Sequence, residues 1–369
     1  MPTGFADVVA DRFAFHEVNL ARLEAGQQQR LLQALRKLEA HLVKEIERAG
    51  ADGRSFTVTR SKALLAETRS VIKSHYQGIY ELHREQLVDL GLYEAKEAAE
   101  LVNRRLGVRL LAVGVPESVI DSMLSENVVL GVPLKSFWER QAGGLQETFT
   151  RELRAAVFAG ETTDQIVRRV RGTAALKYKD GIMETSRRGA EAIVRTSSQS
   201  ILNDARMKVY QANKDVIKGV QAQVTLDHRT SAICMARSGF AWDLDGKPLP
   251  GTDTDEDFPG PPPWHPNCRS TLIPIVKSIG EIVEDPEVDK EVAKVAEEVP
   301  KATQSSMDGQ VAQVLTYEDW LKSKSEAFQK EVLGPGKWEL WQKGQIGLKD
   351  LIDQRGRPIA LEQLQRLEY

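Results

Sequence analysis

The sequence predicts a mainly α protein: a helical body, a small α+β module rich in proline and glycine that zinc can stabilise, and a short tethered helical C-terminal region. Three observations lead there. Apolar residues recur at spacings of three and four as far as Ala212, the period of helices with one buried face. Aromatic residues make up only 6%, which suits helix packing better than a β-sandwich. Between Gly219 and Pro274 the texture changes to alternation, glycines and a run of prolines, which excludes long helices.

At about 150 residues per domain, 369 residues make two or three domains. The 41% apolar and 28% charged residues fit a soluble globular chain, and a net charge of −3 is no signature of a nucleic-acid binder. Two cysteines, Cys234 and Cys268, exclude a disulfide-rich scaffold and fit a reducing compartment. No basic stretch followed by an apolar one opens the chain, so no secretory signal is expected. The longest apolar run, Leu110 to Val115, is far short of the roughly 20 residues that cross a bilayer. A soluble intracellular or virion protein is expected.

From about Asn19 to Ala49, the residues Leu31, Leu35, Leu38, Leu42 and Ile46 fall on one stripe, and Gly50-Ala51-Asp52-Gly53 ends the run. A second helix is predicted over Ser61 to Leu90, with Leu64, Thr68, Val71, His75, Ile79 and Leu82 on its stripe. His75 and His83 read as packed or half-exposed histidines, because no other ligand type clusters with them. A third helix fits Ala95 to Leu106, and Pro116 suits the first position of a short segment to about Leu130. After Gly131-Val132-Pro133 a helix is expected from Ser136 to Phe158. Thr162 and Gln165 have capping-box spacing, so a new helix starts there and carries Ile166, Val167 and Val170 inward. Helix, glycine turn, helix is the shape of a helix-turn-helix, and equally of any helical hairpin. A further helix, Gly189 to Ala212, buries Ile193, Val194, Ser197, Ile201, Ala205 and Val209.

The boundaries that result are a helical body over 1–150, a module over 151–280 in which helices precede a small β-rich motif, an acidic linker over 281–312 and a helical region over 313–369. Gly219 to Leu226 alternates like a strand, and Ser270 to Ile275 is strand-like. The linker rests on Glu284-Asp285-Pro286-Glu287-Val288-Asp289 and its weakly apolar surroundings. In the tail, Thr316 can cap a helix bearing Trp320, Leu321, Phe328 and Leu333; Gly334-Pro335-Gly336 ends it, and Lys337 to Lys343 carries Trp338, Leu340 and Trp341. No repeat at a period of 20 to 50 residues is present.

The informative constellation lies in the module. His265 and Cys268 sit three apart in a proline-bounded turn, so one turn can present both donors to a single ion. Cys234 can add a second thiolate from a facing segment, and thiolate with imidazole is what Zn²⁺ prefers. His228 or Asp227 is the candidate fourth donor. The alternatives are close packing without metal, with Asp227 and Arg269 as an ion pair pinning the segments, or a Cys234–Cys268 disulfide. His265 with Asn267 beside a metal also suggests an HNH-type nuclease, but the ββα arrangement of that site needs a helix where a strand-like run follows. Asp253, Asp255, Glu256 and Asp257 can bind a hard cation or form a solvated loop. Finally, Arg151 to Lys214 holds 13 basic against 7 acidic residues, an excess of +6. Arg168, Arg169, Arg171, Arg187 and Arg188 are its candidate contacts to DNA or an acidic partner, against the plainer reading of a solvated helix surface.

One resemblance gathers these residues. Arg195-Thr196, Asn203-Asp204-Ala205-Arg206, Leu226-Asp227-His228-Arg229-Thr230, Cys234, Asp245-Gly246-Lys247 and Pro262-Pro263-Trp264-His265-Pro266-Asn267-Cys268-Arg269-Ser270 resemble, in order and spacing, the phage Mu F-like head morphogenesis family of minor head proteins. The tail, with Tyr317-Glu318-Asp319-Trp320-Leu321 and Arg355-Gly356-Arg357-Pro358, is similar to the C-terminal region of many members. The resemblance implies that Arg229, Thr230, Asp245, Gly246, Pro263, Asn267 and Arg269 belong to the structural motif. It implies a non-enzymatic virion protein inside the head near the portal, found in the host cytoplasm during assembly. Its partners would be portal, capsid or scaffolding proteins and packaged DNA, with no membrane and no small-molecule substrate. Two positions depart from the pattern: Arg237 and Ser270 stand where many members have cysteine.

Overall fold

A computed structural model of the chain describes residues 5–51, 56, 58–106, 111, 115–126, 131–283, 303–306, 309–312, 315–353 and 355–366. The predicted stop at Asp52 and Gly53, the segment end at 127–130 and the acid-rich 284–302 lie outside those residues. Six helices come first: α1 (Phe5–Ala49), α2 (Val58–Leu106), α3 (Glu117–Glu126), α4 (Leu134–Phe158), α5 (Thr163–Arg171) and α6 (Ile182–Ala212). Then follow β1 (Ile217–Gln223), α7 (Ala232–Ala236), β2 (Ala241–Asp243), β3 (Thr271–Val276), α8 (Ile279–Val283), β4 (Thr303–Ser306) and β5 (Gly309–Ala312). The tail holds α9 (Tyr317–Lys322), α10 (Glu326–Leu333), α11 (Pro335–Gln342) and α12 (Leu361–Leu364). Among the described residues no helix is long and apolar enough to cross a membrane.

Two compact units result, each discontinuous in sequence: Ala21–Leu90 with Ser118–Ile201, and Met1–Leu20 with Gly91–Glu117 and Leu202–Tyr369. The first unit is helical. Its stripe residues Leu31, Leu35, Leu38, Leu42 and Ile46 are all buried, as the spacing required. Thr162 caps α5 with the full capping box: its hydroxyl accepts from the Gln165 N–H at 3.3 Å while the Gln165 side chain accepts from the Thr162 N–H at 2.7 Å. Gly160, at φ 69°, makes the left-handed turn between α4 and α5 that a Cβ would strain. Ile166 and Val170 are buried, whereas Val167 is only half-buried, because α5 is short and turns that position toward its rim.

Helix boundaries show where periodicity misleads. The helices expected at 61–90 and 95–106 are one, α2, which runs straight through Gly91. A mid-helix glycine costs about 1 kcal/mol relative to alanine, and the complete burial of Ala95, Ala98 and Ala99 just beyond it offsets that. α6 begins seven residues earlier than the expected Gly189, at Ile182, where Met183 is fully buried. In the tail, the single helix expected over 316–333 is two, since Ser325 starts α10 by accepting from the Phe328 N–H.

The second unit is built around the antiparallel sheet β2-β1-β3, with Val220 opposite Trp242 and Gln221 opposite Ile273. The strand predicted at 219–226 lies at Ile217–Gln223, because the chain turns at Thr225 and Asp227 to enter α7. Asn203 on α6 extends the sheet's hydrogen bonding, its side-chain oxygen accepting from the Leu272 N–H at 3.1 Å. The C-terminal region, expected on a tether, shares one core with the module. Tyr317, Trp320, Leu321, Trp341, Leu348 and Leu351 pack with Leu226, Cys234, Met235 and Cys268, and the Tyr317 hydroxyl donates to the Asp227 carbonyl at 2.7 Å. Within the stretch expected as linker, β4 and β5 pair as an antiparallel hairpin, Thr303 opposite Ala312.

Candidate metal centre

Three short segments of the second unit meet at the Cys/His group. The Asp227 carboxylate accepts the Arg229 N–H at 2.9 Å, and Thr230 closes the same turn by donating its hydroxyl to the Thr225 carbonyl at 2.5 Å. That turn sets α7, which carries Cys234 inward. The second segment is the turn His265–Cys268, closed by the Cys268 N–H on the His265 carbonyl at 3.1 Å. Asn267 takes φ 61° there, a left-handed conformation that asparagine tolerates better than most residues. The Pro262–Pro263 peptide before the turn is cis. Trp264 is held by its indole N–H on the Gly260 carbonyl and by the Arg237 guanidinium over its ring. The third segment is β3, which begins just after Cys268 and fixes it from the other side.

Cys234 Sγ, His265 Nε2 and Cys268 Sγ consequently all lie within 4.8 Å of one another. The sulfurs are 3.7 Å apart and the Cys234 sulfur is 3.1 Å from Nε2. Tetrahedral zinc, with bonds of about 2.3 Å to sulfur and 2.0–2.1 Å to nitrogen, needs edges of about 3.8 Å and 3.5 Å. The donors are thus nearly in place. Both cysteines are free, so the disulfide alternative does not hold in this structure.

The surroundings suit a metal as well as the spacing does. His265 donates Nδ1–H to the Pro266 carbonyl at 2.8 Å, which turns Nε2 toward the sulfurs. A ring tied at one nitrogen and aimed at two sulfurs with the other is placed as a metal ligand would be. The Cys234 thiol donates toward Cys268, and with the backbone N–H groups of Ser270 and Trp264 it holds the Cys268 thiol well below the ordinary thiol range. The same contact and burial push Cys234 up, and the hydrogen bond to Cys268 raises His265. A preformed thiolate character at Cys268 is what a metal ion requires. The Cys–His–Cys group can bind a metal ion.

The other predicted donors stand apart. Asp227 receives the Arg269 guanidinium on both oxygens, at 2.6 and 2.7 Å. Burial opposes its charge, yet the Arg269 fork holds its pKa down at about 2. It acts as the pin between segments. His228 is exposed and outside the donor group. Asp245 and Gly246 shape the turn after β2 instead: Asp243 accepts from the Asp245 and Lys247 N–H groups, and Gly246 sits at φ 89°. Asp253, Glu256 and Asp257 pair with Lys349, Arg237 and Lys247 at 2.7, 2.5 and 2.8 Å. The candidate DNA contacts in the first unit are mostly paired too. Arg169 joins Glu152 and Glu161, Arg171 and Arg187 join Glu39, and Arg188 joins Glu184, leaving Arg168 exposed.

Residues 147–273 match the family described as phage Mu protein F like protein. Over about a third of its length the chain is similar to that family. The Mu F-like match runs from within α4 into β3 and encloses all three donors; the tail residues lie beyond it. Neither a curated protein nor a solved structure matches the chain.

Proposed function

We propose that this chain is a structural minor head protein of a tailed phage or prophage, placed inside the head near the portal, and that it acts in head assembly and in DNA packaging or delivery. The observation that carries this reading is the family match over 147–273. Portal protein, together with capsid or scaffolding proteins, is the partner, with packaged DNA as a further contact. The ion pairing of the predicted DNA-facing arginines supports protein partners over sequence-independent DNA binding, which needs free cations for phosphates. The protein should co-purify with portal and procapsid from infected cells and be present in finished heads. Its absence from purified procapsids and heads would overturn the reading.

Zinc is the ion we propose for the Cys–His–Cys group, as the staple of the Mu F-like module. Two thiolates and an imidazole are a donor set that zinc favours over hard cations. Elemental analysis should find one zinc per chain in protein purified without chelator, and Cys268→Ser should lose it. A strong chelator should lower the melting temperature of the wild type and leave Cys268→Ser unmoved, because metal binding is folding free energy. Equal, metal-free melting of both proteins would show that the group packs without an ion.

A further inference from the structure

We propose that this centre is an open one: the chain supplies three donors, a water completes the metal's coordination, and small thiols or anions can replace that water. The proposal rests on the metal reading above and adds what occupies the fourth position. A cleft of about 20 Å³ opens at the group, lined by Cys234, His265, Ser231, Ser270 and Thr230 among others. That is room for about one water and no side chain. Cys268 is fully buried and does not line the cleft, so the opening lies on the Cys234 and His265 side.

Among the described residues no further Cys, His, Asp or Glu joins the donor group. Both Asp227 oxygens are held by Arg269, and His228 lies outside the donor group. The Arg237 guanidinium turns away to Glu256 at 2.5 Å and to the Trp264 ring. Ser231 and Ser270 both line the cleft and place their side chains against the Cys234 sulfur, and of the two Ser270 is buried and stands where many members of the family have cysteine. A serine hydroxyl stays protonated at neutral pH and is a poor zinc ligand, whereas a thiolate there would be a good one. Structural zinc sites hold four protein donors, and a site with three keeps an exchangeable position. Arg229 and Arg269 also line the cleft and favour an anionic occupant.

The test uses the full chain loaded with Co²⁺ under anaerobic conditions and titrated with 2-mercaptoethanol. For the wild type, the thiolate-to-cobalt absorption should grow saturably as the thiol enters the fourth position. Ser270→Cys should show the stronger absorption without added thiol, no response to the titration, and zinc affinity tighter by about tenfold or more in competition with a chelator. Arg237→Cys should keep the wild-type response. One equivalent of bound Co²⁺ with a spectrum that the thiol does not change would overturn the proposal while leaving the metal reading intact. No bound metal at all would overturn both. Should Ser270→Cys fail to fold, the wild-type titration decides alone.

Discussion

Replacing Glu94 with alanine should destabilise the second unit by about 3–5 kcal/mol, the largest single-residue effect expected in the chain. Glu94 is completely buried, and its two oxygens accept from the Arg206 guanidinium and from His16 Nε2, the latter at 2.6 Å. Arg206 is 1% exposed and also donates to the Thr271 hydroxyl. Glu94 and Arg206 thus tie α2 to α6, and Thr271 extends the tie to the strand that follows Cys268. Removing the carboxylate strands a guanidinium in the interior, which costs far more than the pair itself contributes. Urea unfolding followed by tryptophan fluorescence reads the loss, since five of the six tryptophans, all but Trp138, belong to this unit. Exchanging Glu94 and Arg206 together for leucine and methionine should recover most of it; a double variant as unstable as Glu94→Ala would refute the stranded-charge account. The pH dependence has a definite sign. Burial pushes Glu94 up, but Arg206 and then His16 outweigh it and hold the group below the ordinary carboxylate range. The stability it contributes is therefore complete above that range and lost as pH falls through the native value.

That network also shows what the sequence could not disclose. The stripe on α1 and the α5 capping box are local patterns, fixed by spacings of three and four, and both were readable. His16, Glu94 and Arg206 lie 78 and 112 residues apart. Each sits in a helix where a charged residue ordinarily marks the solvent side. The Cys–His–Cys group was readable because thiolate and imidazole are rare and chemically specific, so even distant members identify each other. The expected fourth donor does not hold, because adjacency in sequence favoured Asp227 while side-chain direction gave that carboxylate to Arg269. The tail's helical start at Thr316 and stop at Gly334 were legible, but the break before Ser325 and the docking were not. Trp320 and Leu321 show that they must be covered without showing that Leu226 and Cys268 do the covering.

His83 was readable as a packed histidine, and its full burial makes it the first unit's strongest pH element. The ring is 0% exposed, Nδ1 accepts from the Trp138 indole at 3.1 Å, and Nε2 lies 3.3 Å from the Ser197 hydroxyl. Ser197 donates its own hydrogen to the Ile193 carbonyl, so Nε2 carries the proton and the imidazole is neutral. Burial lowers its pKa from 6.5 to about 3. The unfolded chain binds a proton through the interval where the folded chain does not, so stability is complete above pH 6.5 and is lost progressively toward pH 3. Across the whole interval the loss is about 5 kcal/mol, and about 2 kcal/mol of it falls by about pH 5. His83→Phe keeps the ring volume but leaves the Trp138 N–H without an acceptor, a cost of about 1–3 kcal/mol near neutral pH. The variant should therefore be clearly weaker than the wild type near pH 7.5, and the gap should shrink by about 2 kcal/mol near pH 5, because only the wild type has a buried base to protonate. Hydrogen exchange of the amides in α2, α4 and α6 within this unit measures both proteins at both pH values. A gap that stays constant would mean that His83 takes up its second proton as readily in the fold as in the unfolded chain, against the Trp138 N–H that points at Nδ1.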